Sequence, residues 1–72
     1  MTRLKELRKA RGYTQVKMQM LTGIDQSDYS KIENGKRSLS FDQCKRAALA
    51  LDTSMDYLAG LTDETEPYPR NN

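Results

Sequence analysis

The sequence predicts an all-α fold built from short helices, and three observations carry that reading. Thr2, Thr14, Asp25, Ser40 and Ser54 each stand ahead of a helical stretch; such side chains accept from the free N–H groups of a helix start. Gly12, Gly23, Gly35 and Gly60 stand at the far ends of such stretches, where helices commonly stop. Between these marks, apolar residues recur at helical spacing: Leu4, Leu7 and Ala10; Met18 and Leu21; Tyr29 and Ile32; Phe41, Cys44, Ala48 and Leu51; Met55 and Leu58.

Taken in order, the first helix is expected over Arg3 to Arg11, capped by Thr2. Arg8 lies beside its inner face, where a surface arginine can run its stem along the helix. The second helix runs from Gln15 to Thr22 behind the Thr14 cap, and Gly23 supplies the left-handed backbone of a sharp end. Met18 and Leu21 should be core. Val16 and Met20, four apart, fall on another face, either simply exposed or in contact with a partner. Asp25 caps a third helix, Gln26 to Glu33, with Asp28 in its first turn, and Asn34-Gly35 ends it just before Lys36 and Arg37. Two helices joined by so short a turn, the second opening on small polar residues, make a helix-turn-helix. Ser40 and Gln43 form a capping box that opens a fourth helix to about Ala50. Cys44 reads as a small core residue, not a nucleophile. A fifth helix, Met55 to Ala59, follows Ser54, with Met55 and Leu58 inward and Tyr57 outside. Residues 1–60 then form the domain, and 61–72, acidic and carrying Pro67 and Pro69, a flexible tail.

Composition narrows the function. Seventy-two residues make one small domain, near the lower size for an independent core. There is no His and a single Cys, so neither a disulfide framework nor a Cys/His zinc site can form. With no nucleophile–base pair or metal set, no enzymatic activity and no cofactor are expected. No apolar run reaches transmembrane length and no signal-peptide pattern leads the chain, which fits a cytoplasmic protein without a membrane partner. Net charge is only +2 but uneven: residues 1–46 hold eleven Lys/Arg against five acids, and 47–72 hold Arg70 against five acids. A basic body with an acidic end suits a polyanion, although many solvated helices look alike.

Thr14-Gln15, Gly23-Ile24 and the run SKIENGKR from Ser30 to Arg37 carry a resemblance. From about Arg3 to Gly60 the chain resembles the Cro/C1-type (Xre) helix-turn-helix family of phage repressors, bacterial regulators and antitoxins. That resemblance implies a compact five-helix, lambda-repressor-like DNA-binding domain with the helix-turn-helix at its second and third helices. It implies a structural salt bridge between Arg8 and Glu33. The chain departs from the family at Met18-Gln19, where Leu-Ala is usual, at Tyr29, usually aliphatic, and at Leu49, usually polar. Gln19 must either open the helix crossing or find a backbone partner for its amide, and the Tyr29 phenol can reach solvent or a phosphate.

With that motif in place, Gln26, Ser27 and Lys31 are the expected base-reading residues: Gln suits adenine, Lys suits guanine, Ser is permissive. Standing alone, they would read as a solvated polar face. Thr14 and Gln15 at a helix N-terminus, with Asn34, Lys36 and Arg37 at the exit, are the expected phosphate contacts. The expected partner is double-stranded DNA, bound by a homodimer that forms at least on DNA. By resemblance to phage repressors, Leu49, Tyr57 and Leu61 are its contact residues. The expected function is sequence-specific transcriptional regulation, as a repressor that occludes promoter DNA. The alternative is an antitoxin or accessory module that holds a protein partner.

Overall fold

The computed structural model describes residues 2–68; residues 69–72, the end of the expected tail, lie outside the described residues. The chain forms five helices in order: α1 (Thr2–Ala10), α2 (Gln15–Thr22), α3 (Gln26–Glu33), α4 (Phe41–Leu51) and α5 (Met55–Ala59). No strand occurs among the described residues. This is the lambda-repressor-like arrangement, with α2 and α3 as the helix-turn-helix.

Local chemistry sets the boundaries. Thr14, Asp25, Ser40 and Ser54 each have extended backbone and accept from a first-turn N–H, and Ser40 with Gln43 closes a reciprocal capping box. Gly23 ends α2 at φ 72°, so the chain turns at once into α3. The one non-glycine residue with positive φ among those described is Asp52, at 53°, which ends α4. α1 starts one residue earlier than expected and takes Thr2 into the helix instead of leaving it as the cap.

α4 contacts α1, α2 and α5, while α1 also meets α3 and α5. The core they enclose is Leu4, Leu7, Met18, Ile24, Tyr29, Ile32, Ala47, Ala48, Leu51 and Leu58, with Cys44 and Met55 partly buried against it. Burial pushes the Cys44 thiol pKa up, which keeps it protonated and unreactive.

Three expected core positions are corrected. Phe41 is 78% exposed: as the first residue of α4 it has no preceding turn to fold against. Leu21 is 45% exposed, because Thr22 takes the buried place beside Met18. The Thr22 hydroxyl can be buried there since it donates to Met18 O at 2.6 Å and accepts from Ile24 N at 3.3 Å. Ala10 is exposed at the end of α1. Gln19, half-buried, makes no side-chain hydrogen bond among the described residues, so its amide stays at the edge of the α2–α4 packing.

Beyond Gly60, the described part of the expected tail lies against the body. Arg3 stacks over the Tyr57 ring at 4.7 Å, donates to Tyr57 O at 3.1 Å and to Thr62 O, and pairs with Asp63 at 2.7 Å. Thr53 Oγ1 donates to Thr65 O at 2.7 Å, and Tyr68 donates to Asp56 at 2.7 Å. Tyr57, expected outside, is half-buried beneath Arg3.

Candidate nucleic-acid interface

The site begins with one buried carboxylate. Glu33, the last residue of α3, accepts from Arg8 Nε at 2.7 Å and Nη2 at 3.1 Å, a two-point bond that ties α1 to α3. Gln15 at the start of α2 donates its amide to the same carboxylate at 3.1 Å. Arg8 Nη1 also donates to Tyr13 O at 2.8 Å, which fixes the linker before α2. Three segments are thus held by one ion pair. Burial pushes the Glu33 pKa up, but the bonds from Arg8 and Gln15, with the Tyr29 hydroxyl close by, outweigh it and leave it below the usual glutamate value. Arg8 is raised by its bond to Glu33.

Tyr29 lies under this pair, fully buried, so its hydroxyl reaches neither solvent nor a phosphate. Burial first, then the Glu33 charge, raise its pKa far above the usual tyrosine value. The hydroxyl is near the carboxylate but is not placed for a well-formed hydrogen bond.

On the opposite side of α3 the polar residues are brought together. Gln26, Ser27, Ser30, Lys31 and Asn34, with Asp25 and Lys36, line one shallow open depression along the helix. Gln26, Ser27 and Lys31 are exposed on it. An α-helix is narrow enough to enter a major groove, and the N-terminal residues of such a helix meet the base edges. Thr14 stands apart at the N-terminus of α2, capping Lys17 N. Gln15 is half-buried, with its side chain engaged by Glu33. Arg37 reaches back to pair with Asp28 at 2.8 Å.

Every described arginine is held by the protein itself. Besides Arg3, Arg8 and Arg37, Arg11 donates to Leu51 O at 2.9 Å, and Arg46 pairs with Asp42 at 2.9 Å and donates to Thr22 O at 3.3 Å. Charge counting missed this, because a count cannot separate a framework guanidinium from a free one. The cations without an ion pair at the helix-turn-helix, among the described residues, are Lys17, Lys31 and Lys36. No group of residues suited to a metal ion occurs among the described residues, and no described helix is long and apolar enough to cross a membrane. Of the expected dimer residues, Leu49 and Leu61 are exposed and Tyr57 is half-covered by Arg3.

Two short helices at a glycine turn, a buried Arg–Glu lock behind them and a polar outer face define a helix-turn-helix domain. The chain matches the helix-turn-helix family over residues 4–58 and belongs to it, as a member of the Cro/C1-type group of DNA-binding domains. Among curated proteins it is similar to an uncharacterised HTH-type transcriptional regulator, YobD, of Bacillus subtilis (strain 168). The two are 35% identical over 65 residues, which is 90% of this chain and 58% of that protein. The chain therefore spans less than two thirds of that relative. No solved structure gives a significant match.

Proposed function

We propose that this chain is a sequence-specific transcription regulator that binds duplex DNA through α3 and represses by occluding promoter DNA. The observation that carries the reading is the α3 face, where Gln26, Ser27 and Lys31 are exposed together along one open depression with Asn34 and Lys36. Gln26, Ser27 and Lys31 would read base edges. Thr14, Asn34 and Lys36, joined by the backbone N–H groups at the start of α2, would grip phosphates. Gln15 then acts through its bond to Glu33 as much as through any phosphate. One recognition helix spans too few base pairs to select a unique site, so two copies would bind half-sites roughly 34 Å apart.

Substitution tests this. Gln26→Ala and Lys31→Ala should each lose about 1–3 kcal/mol of discrimination between a selected site and scrambled DNA. Lys36→Ala should weaken binding to both DNAs alike. Equal losses on both DNAs from all three variants would show that α3 does not read bases. Footprinting at saturation should protect two half-sites; protection of one half-site with one chain bound would rule out the dimer.

A second reading, an accessory module that holds a protein partner, draws on Val16 and Met20, which lie exposed four residues apart on α2. Co-purification of a second, unrelated chain at fixed stoichiometry would favour it.

A further inference from the structure

The Asp28–Arg37 pair connects the exit loop to the wrong end of α3 for a simple phosphate grip. Arg37 leaves the chain beyond Asn34, where α3 has ended. Its Nη1 nevertheless bonds Asp28, in the first turn of α3, at 2.8 Å. The guanidinium is therefore carried back to the first turn of α3. That is the end of a recognition helix that meets base edges. Asp28 engages one terminal nitrogen, and the remaining edge of the guanidinium has no protein partner among the described residues. The Arg37 side chain is half exposed there, and Asp28 a third.

The charge balance points the same way. A carboxylate and a guanidinium 2.8 Å apart present little net charge to a polyanion, so the pair adds little to phosphate attraction. What it adds is a rigid, directed set of donors. A guanidinium held in place keeps its planar fork, and that fork matches the O6 and N7 acceptors of guanine.

We propose that Asp28 is a positioning residue and that Arg37, fixed by it, reads a guanine in the operator instead of gripping the backbone. The proposal rests on the DNA-binding reading above. It adds a fourth specificity residue supplied from outside the recognition helix.

The test is selection from random duplex DNA, followed by binding to the selected site and to scrambled DNA, with wild type, Asp28→Asn, Arg37→Lys and Arg37→Ala. Melting curves first establish that each variant is folded. Wild type should prefer guanine at one position per half-site by about tenfold, the scale of one bidentate contact. Asp28→Asn removes a negative charge, so binding to scrambled DNA should strengthen while the guanine preference falls. Those opposite signs are the signature, since loss of fold would weaken both. Arg37→Lys keeps the charge but not the fork, so it should retain scrambled-DNA binding and lose the guanine preference. Arg37→Ala should weaken binding to both DNAs and lose the same guanine. If Asp28→Asn and Arg37→Lys select the same site as wild type with the same preference at every position, the proposal is overturned. A wild-type protein that selects no site at all would instead overturn the DNA-binding reading, and this one with it.

Discussion

At the scale of single residues, Glu33 decides most. Its carboxylate is buried and shared by Arg8 and Gln15, so removing it strands a guanidinium in the interior. Glu33→Ala should cost about 3 kcal/mol or more, by the measured cost of breaking buried pairs. In a domain this small that is a large part of the total stability, and urea unfolding will measure it. Because the folded-state pKa of Glu33 is lowered, its contribution is full above the ordinary glutamate range. It is lost as pH falls through the folded value, below the ordinary glutamate range. Wild type should therefore lose stability on acidification in that window, and Glu33→Gln should lose less. The partners of Glu33 were only half legible. The IENGKR run pointed to Arg8, but nothing in the sequence linked Gln15 to Glu33, because a pairing across eighteen positions leaves no local pattern. The Asp28–Arg37 bond was hidden for another reason: each residue already had a sufficient local explanation, as first-turn acid and exit-loop cation.

At the scale of elements, boundaries were more legible than faces. Caps and glycine stops act locally, and α2, α3 and α5 end where those residues place them. Which side of a two-turn helix is buried depends on its neighbours, and periodicity in so short a window leaves two adjacent stripes open. Leu21 and Thr22 in α2 show it: the threonine is buried because the helix itself supplies a carbonyl for its hydroxyl. α4 carries much of the packing, since it touches α1, α2 and α5. Leu51→Ala near its end, where the side chain is fully buried, should cost about 2–5 kcal/mol. Ser40→Ala at its start removes half a capping box and should cost only about 1 kcal/mol. Denaturant midpoints for the two variants should differ clearly; equal values would mean that α4 is not held chiefly by its buried end.

At the scale of the whole molecule, the segment after Gly60 and the basic residues belong to one account. Arg3 joins α1, the Tyr57 ring and the chain at Thr62 and Asp63. A composition shift suggests a tail, but composition cannot show that an arginine near the other end of the sequence meets it. Arg3→Ala should speed amide exchange over 62–66 by an order of magnitude or more while leaving the α1–α4 core protected, since only local opening is affected. Unchanged exchange there would mean that Thr53 and Tyr68 hold the segment without Arg3. Leu49 and Leu61 lie exposed on the outside of this assembly of contacts.

The division between held arginines and unpaired lysines has one more consequence. A guanidinium resists acylation under ordinary conditions, whereas a lysine amine accepts an acyl group and loses its charge. Here the ion pairs among the described residues are all made by arginine, and the cations of α2, α3 and the exit loop without an ion pair are Lys17, Lys31 and Lys36. On the DNA-binding reading proposed above, acetylation of these lysines would remove positive charge from the helix-turn-helix and leave each of those ion pairs in place.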